Sequence, residues 1–257
     1  FSKKEYLEAQ KIADIILPQV NKIIVPSQAT KNDIVEMFSV DVKNIKVISH
    51  GLDKRFLKRV TEKQVNAIRK KHSLQKKYIL FLGTLDLRKN ISGMLRAFKK
   101  FKERTIKDNY QLVLAGNPGK NIEQIKKEIK QLNLTKQVIL PGYIEAEDLV
   151  PLFSGAVVFL FPTLYEGFGL PVIEAMASNC PVITSNTSAL PEIVDGKALL
   201  VNPHSVSDIF KALIKIIDYP QLADDLRQAG KEWVKQFSWE ETVKETLILY
   251  KQVFSNK

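Results

Sequence analysis

Short apolar runs alternate with longer amphipathic segments along most of this 257-residue chain. The runs are too short for helices and suit buried strands, whereas the charged segments between them have helical periodicity. After residue 77 the runs occupy 78–82, 111–116, 137–140, 156–161, 181–184 and 198–201. This alternation, with short links, predicts an α/β fold: a Rossmann-like parallel sheet with helices on both faces.

A smaller strand–helix–strand pattern precedes this region. The segments 22–26 and 45–48 predict two short strands, and the segment 29–38 between them predicts a helix with Ser27 as its N-cap. Two parallel strands are too few to form a stable sheet alone. The sequence therefore predicts that the first 53 residues form only part of a folded unit.

Composition narrows the class of protein. Apolar residues make up 45% of the chain, but no run approaches the roughly 18 that a membrane span needs. The single cysteine, Cys180, fits a reducing compartment, and a cytoplasmic location is expected. No cluster of histidine and cysteine has the spacing of metal ligands, so no metal site is predicted.

The net charge of +11 is concentrated between Asp53 and Lys77. Against two acids, Asp53 and Glu62, stand ten basic residues: Lys54, Arg55, Lys58, Arg59, Lys63, Arg69, Lys70, Lys71, Lys76 and Lys77. Such a block can attract nucleic acid or anionic lipid, or it can be the solvated face of a connecting helix. Aromatic residues do not interleave with it in the way that a stacking platform requires, so nucleic acid is not expected. Peripheral contact with the inner face of a membrane remains open.

The stretch 156–176 carries the strongest chemical signal. A buried strand leads into a loop with Glu166, Gly167 and Gly169, and Pro171 suits the first turn of the helix that follows. Glu174 lies in the first turns of that helix, so both carboxylates can face one small volume. The alternative is that Glu174 stabilises the helix dipole and that Glu166 is a solvated loop acid.

The segment 166–174, Glu-Gly-Phe-Gly-Leu-Pro-Val-Ile-Glu, resembles the Glu-x7-Glu motif of the retaining GT-B glycosyltransferases of family four, the group one transferases. Flanking residues match as well, at 161–165, 174–177 and 181–184. The resemblance implies a nucleotide-sugar donor, retention of the anomeric configuration and no metal. It also implies that this region is the C-terminal half of a GT-B fold.

The N-terminal segment also resembles this family, in Pro26-Ser-Gln-Ala-Thr-Lys-Asn-Asp33 and in His50-Gly-Leu-Asp53. The resemblance implies that 1–53 is a remnant of the N-terminal, acceptor-side domain, most of which lies outside this chain. Residues 54–77 would form a basic connector, helical from 61 to 73, and 78–237 the nucleotide-sugar-binding domain. The helix at 238–257 would return toward the N-terminal domain.

Four loops follow the strands at the carboxyl edge of the predicted sheet, where ligands bind in such folds. They contain Gly83, Arg88 and Lys89; Gly116 and Asn117; Gly142, Tyr143 and Ile144; and Glu166, Gly167, Phe168 and Gly169. Cations suit phosphates, carboxylates suit sugar hydroxyls, and glycines let a ligand approach the backbone. A nucleotide sugar has all three features.

The resemblance assigns roles to these residues. Arg88 and Lys89 would neutralise the diphosphate, although they could instead form a solvated helix start with Asn90 as N-cap. Glu174 would bind the ribose, Glu166 the donor sugar, and the Tyr143–Ile144 backbone the base, unless Tyr143 is plain loop packing. The predicted catalytic residues are Arg88, Lys89 and Glu166. The predicted donor-binding residues are Gly83, Arg88, Lys89, Asn117, Tyr143, Ile144, Glu166, Gly167, Phe168, Gly169, Leu170 and Glu174.

Three functional hypotheses follow. The first is a glycosyltransferase that moves a hexose, with mannose favoured and GDP-mannose preferred over a UDP-sugar, to a glycan or lipid-linked acceptor in polysaccharide biosynthesis; no further cofactor is expected. The second is a non-catalytic nucleotide-sugar-binding module that needs a partner chain to supply the acceptor-side domain. The third, a nucleic-acid binder, explains the charge but not the carboxylate loop.

Overall fold

The computed structural model describes residues 3–75, 77–105 and 110–255. The strands are β1 (Ile23–Val25), β2 (Ile45–Val47), β3 (Lys77–Leu82), β4 (Tyr110–Ala115), β5 (Val138–Gly142), β6 (Val158–Phe161), β7 (Val182–Ser185) and β8 (Leu199–Val201). The helices are α1 (Lys3–Ile16), α2 (Gln28–Met37), α3 (Glu62–Lys71), α4 (Ile91–Arg104), α5 (Ile122–Gln131), α6 (Leu149–Ser154), α7 (Leu170–Ala177), α8 (Leu190–Val194), α9 (Val206–Asp218), α10 (Pro220–Trp233) and α11 (Trp239–Ser255).

The chain divides into two compact units. The smaller consists of Phe1–Gly51 with Phe237–Lys257, and the larger is Leu52–Gln236. The segment 54–77, expected as a connector, lies within the larger unit. There α3 begins with a capping box, in which Thr61 and Gln64 satisfy each other's backbone N–H groups.

The larger unit contains a six-stranded parallel sheet in the order β5-β4-β3-β6-β7-β8. Its central strands are buried on both sides, and Ile79, Leu80 and Phe81 of β3 have no exposed surface. That burial explains their continuous apolar sequence. The prediction of a Rossmann-like α/β fold is confirmed.

The strand order reverses between β3 and β6. From β3 the chain proceeds outward to β4 and β5, and from β6 it proceeds outward in the other direction to β7 and β8. The two connections that leave this point diverge, so a crevice opens beyond the carboxyl ends of β3 and β6. The loops that hold Arg88 and Glu166 both start there.

Local differences from the predicted elements have simple causes. Helix α8, with Pro191 in its first turn, was not predicted because its five residues are too few to show periodicity. The helix expected at 146–153 is α6, which begins only at Leu149 after a turn. The strand expected at 156–161 begins at Val158.

In the smaller unit, β1 and β2 form a parallel pair. Ser27 accepts a hydrogen bond from the backbone N–H of Thr30, so the predicted N-cap of α2 is confirmed. Helix α11 exposes several apolar side chains, among them Val243, Leu247 and Phe254, the last at 71%. No helix in the described part of the chain is long and apolar enough to cross a membrane.

Candidate functional site

Three exit loops are joined by backbone hydrogen bonds at the carboxyl edge of the sheet. Leu85 N–H donates to the Asn117 carbonyl at 3.0 Å, and Gly116 N–H donates to the Gly142 carbonyl at 2.8 Å. Gly116 has a φ of +126°, and a Cβ placed there would lie 2.2 Å from the Gly83 carbonyl oxygen. Only glycine permits this approach, which brings the first two loops together.

Arg88 and Lys89 lie in a short 3-10 turn, Leu87–Lys89, within the β3 exit loop, which we call the cation turn. The Asp86 carboxylate accepts a hydrogen bond from the backbone N–H of Lys89 at 3.2 Å and fixes the start of this turn. The turn directs its two cations differently: the Lys89 side chain is 10% exposed, and that of Arg88 is 44% exposed. A solvated helix start, the alternative reading of this segment, is wrong for Lys89.

Asn90 occupies the N-cap position of α4, but its side chain makes no capping hydrogen bond. The residue is in the left-handed region, with φ of +57°. Its amide nitrogen instead donates to the carbonyls of Pro162 at 3.0 Å and Pro203 at 2.7 Å. Asn90 is therefore the N-cap residue of α4, as considered, but its side chain does not cap the helix and links this turn to the loops after β6 and β8.

Both cations, Arg88 and Lys89, contact the same carboxylate oxygen of Glu166. The distance from Lys89 Nζ to Glu166 Oε1 is 2.5 Å, and the distance from Arg88 Nη1 to the same oxygen is 3.1 Å. Glu166 is only 9% exposed, so the alternative of a solvated loop acid is wrong. The structure thus brings together the three predicted catalytic residues, although Lys89 and Glu166 are 77 positions apart in sequence.

The loop that holds Glu166 is fixed by small polar residues from neighbouring elements. Glu166 N–H donates to Ser188 Oγ at 3.1 Å, and Ser185 Oγ donates to the Thr163 carbonyl at 2.5 Å. Leu164 N–H donates to the Arg88 carbonyl at 2.8 Å, which ties the two loops directly. Sequence reasoning missed Ser185 and Ser188, because single serines after a strand carry no distinctive pattern.

Helix α7 begins after Gly169, whose φ is +106° and where a Cβ would lie 2.7 Å from Leu190 Cδ2. Glycine is therefore needed at this junction for both backbone and space. Pro171 lies in the first turn, as predicted. Leu170 and Gly167 are half-buried, and Phe168 is 4% exposed. The strand–loop–helix reading of this stretch is confirmed.

Glu174, on α7, is partly buried. Its burial raises the pKa of the carboxyl to about 7; the positive charge of Arg55 opposes this shift, and the negative charge of Asp53 adds to it. Among the described residues, none donates a hydrogen bond to this carboxylate. Arg55 forms an ion pair with Asp53, with Nε to Oδ2 at 2.9 Å. Both residues were assigned only to a linker motif and a basic block, so their position beside Glu174 was missed.

The two predicted residues of the β5 exit loop differ in their exposure to solvent. The Tyr143 side chain is 61% exposed, whereas Ile144 is 3% exposed. Loop packing, the alternative considered for Tyr143, does not fit such exposure. Gly142, just before them, has a φ of +79°, and a Cβ added to it would meet no other atom within 4 Å. A ligand can therefore reach the backbone here.

Comparisons with known proteins agree on one family. A family model described as glycosyl transferases group 1 matches residues 63–233. O-antigen chain mannosyltransferase B of Escherichia coli is 28% identical over 91% of this chain and 61% of its own. MMP alpha-(1->4)-mannosyltransferase of Mycolicibacterium hassiacum is 29% identical over 97% of this chain and 58% of its own. The chain thus spans about three fifths of these two relatives.

The fold is also found in solved structures. Sucrose-phosphate synthase from Thermosynechococcus elongatus superposes with a TM-score of 0.84 at 25% identity. The superposition covers 100% of this chain and 65% of that one. The α/β architecture described above is therefore shared along the whole length of the chain.

Proposed function

Because the chain belongs to the glycosyl transferases group 1 family, we propose that it binds a nucleotide sugar and transfers its hexose to a glycan or lipid-linked acceptor. Mannose is the favoured hexose. Transfer proceeds with retention and without a metal. The observation that supports this proposal best is the cluster of Arg88, Lys89 and Glu166 at the point where the strand order reverses.

The cluster has the charges that this reaction needs. A leaving nucleoside diphosphate gains negative charge as its bond to the sugar breaks, and preorganised cations stabilise that charge. At about 4 Å and an effective dielectric of about 20, each cation–phosphate pair contributes roughly 4 kcal/mol before desolvation. Glu166 lies beside these cations and can accept hydrogen bonds from the hydroxyls of the donor sugar.

The remaining donor contacts are assigned around this cluster. Glu174 binds the ribose hydroxyls, because its carboxylate has no hydrogen-bond donor among the described residues. The backbone at Tyr143 and Ile144 meets the base, beside the open surface at Gly142. Gly83, Asn117 and the segment 167–170 supply close-approach backbone for the sugar and phosphates.

Mannose is favoured because two relatives of this chain are named mannosyltransferases. GDP-mannose is the donor that the sequence resemblance favours. Family membership favours an enzyme over a module that only binds. Since the chain spans about three fifths of these relatives, we place the acceptor-side domain in further polypeptide, either of the same chain or of a partner chain.

Calorimetric titration with GDP, UDP and ADP tests the donor assignment. We expect GDP to bind with the lowest Kd, because the base is selected at the β5 exit loop and the diphosphate at the cation turn. Arg88→Ala should weaken the binding of GDP, and Arg96→Ala is its matched control. Arg96 also pairs with a glutamate, at 3.1 Å, but it lies on α4, outside the cluster. Failure of all three nucleotides to bind the unmodified protein would contradict the proposed function.

We also propose that the exposed basic residues Lys58, Arg59, Lys63 and Lys70 contact anionic lipid at the inner face of a membrane. Each such residue contributes about 1 kcal/mol near an anionic surface, or about fivefold in affinity. Replacing Lys63 and Lys70 with glutamine should therefore weaken flotation with phosphatidylserine vesicles by about 25-fold. The same change at Lys126 and Lys127, exposed lysines of α5, is the control. Equal losses in the two variants would refute a specific surface.

A further inference from the structure

A second cleft, which we call the α4–α5 cleft, opens between helices α4 and α5 of the larger unit. Parts of the segments 86–92 and 121–128 line it. Asp86 and Leu87 line it from the cation turn, whereas the two cations of that turn contact Glu166. Different residues of one turn therefore contact the cleft and the proposed donor site.

Backbone contacts join the two walls of the cleft at one end. Leu85 and Pro118 form a single parallel β-bridge. A Cβ placed on Gly119 would lie 2.3 Å from the Leu85 carbonyl oxygen, so the chain that leads into α5 lies directly against the β3 exit loop. The cleft is therefore preformed and does not need a ligand to shape it.

Apolar side chains form one part of the lining. Ile91 of α4 and Ile125 of α5 are buried, whereas Leu87 is 67% exposed. Binding sites for small molecules commonly combine such apolar surface with a few polar groups that fix the orientation of the ligand. A sugar ring has C–H groups on its faces that can cover Leu87, and covering exposed apolar surface is favourable.

The polar part of the lining suits hydroxyl groups. Glu128 Oε1 accepts hydrogen bonds from Ser92 Oγ at 2.7 Å and from Arg96 Nε at 3.1 Å, and Arg96 balances its charge. In the described ranges of the chain, Glu128 Oε2 has no hydrogen-bond donor, and the Asn121 side chain does not cap α5. A carboxylate oxygen accepts hydrogen bonds and an amide both donates and accepts, as a hydroxyl does.

The charge of the cleft narrows the class of ligand further. Asp86 adds a negative charge, which disfavours a phosphate or another anion. The portion of the chain that the structure describes contains no group of three histidine, cysteine, aspartate or glutamate side chains that could hold a metal ion. A neutral ligand with several hydroxyls therefore fits best.

The cleft has a volume of about 80 Å³, which several water molecules can fill at roughly 10–15 Å³ each. The hydroxyls along one edge of a sugar ring can replace these waters, while the units linked to that ring stay in solvent. We propose that the α4–α5 cleft binds one sugar unit of a glycan and holds the glycan chain near the donor site. This inference rests on the proposed function for the choice of a glycan as ligand.

A titration of the isotope-labelled protein with an α-linked mannotriose, followed by NMR, tests this site. We expect chemical-shift changes in the Asn121 side-chain amide and in the backbone of 121–128, and much smaller ones with glycerol at equal hydroxyl concentration. Asn121→Ala combined with Gln124→Ala should raise the Kd of mannotriose by about 25-fold, because each lost hydrogen bond weakens binding about fivefold.

The control is Lys130→Ala combined with Gln131→Ala, two exposed residues of α5 outside the cleft, and it should leave the Kd within about twofold. An equal loss in this control, or equal shifts with glycerol, would refute a glycan site in the cleft. The absence of shifts with mannotriose while GDP still binds would refute it too, and would leave the proposed function intact. No GDP binding by the unmodified protein would instead refute the proposed function itself.

Discussion

Replacing Arg88 with alanine is expected to lower kcat/KM for transfer by about 10²–10³-fold, the range found when one preorganised partner of a developing charge is removed. Arg88 is the exposed cation of the cluster, and its contacts to Tyr165 and Glu166 place it beside the crevice between β3 and β6. Steady-state assays of the active protein with GDP-mannose, at several donor concentrations, measure this effect.

Denaturant unfolding of the same variant distinguishes a loss of catalysis from a loss of structure. Arg88 is exposed, so its removal should change the free energy of unfolding by less than about 1 kcal/mol. Arg96→Ala provides the control for removal of an exposed, paired arginine. An Arg88→Ala protein with normal kcat/KM would show that the diphosphate is neutralised elsewhere, and the proposed donor site would have to be abandoned.

The strands of the sheet could be predicted because each one is specified by its own short segment of sequence. Each strand of the larger unit is a short apolar run. Strand β3 is buried on both sides, which is the environment that a continuous apolar sequence predicts. Parallel strands place their exit loops at one edge, and this is enough to group Arg88 with Glu166 from the sequence alone. Helix α8 was missed because five residues carry too little periodicity.

The contacts within the site could not be predicted, because they join residues that are far apart in sequence. The link from Asn90 to the carbonyls of Pro162 and Pro203 spans 72 and 113 positions. An asparagine before a helix has an obvious local role as N-cap, and only the packed loops give it another. The pairing of Lys89 with Glu166 likewise depends on which of two adjacent cations turns inward, and the spacing of residues does not determine that.

Glu174 shows the same limit for electrostatics. Its position on α7 followed from the motif, but its ionisation depends on Asp53 and Arg55, which lie about 120 positions earlier in the sequence. Burial raises the pKa of Glu174 to about 7 because the charged form loses hydration. A residue proposed to bind hydroxyls thus titrates near neutral pH.

The affinity for GDP-mannose is therefore expected to fall about tenfold between about pH 8 and about pH 6, since only the ionised carboxylate accepts both ribose hydroxyls. Glu174→Gln should bind about 10- to 100-fold more weakly at pH 8, and its affinity should be independent of pH over this range. GDP-mannose is the better ligand for this test, because the terminal phosphate of GDP itself titrates near pH 6. Titrations at fixed ionic strength measure both effects.

Stability should show the opposite trend. A carboxyl with a raised pKa in the folded state favours folding below its unfolded value of 4.5, and this contribution is lost as the pH rises through about 7. Glu174→Gln should therefore be more stable than the unmodified protein at pH 8, and the difference should vanish toward pH 4.5. Denaturant unfolding at several pH values measures it. If the unmodified protein and Glu174→Gln showed the same pH dependence in both binding and stability, another group would be responsible for the titration. Glu174 would then not be the residue that binds the ribose.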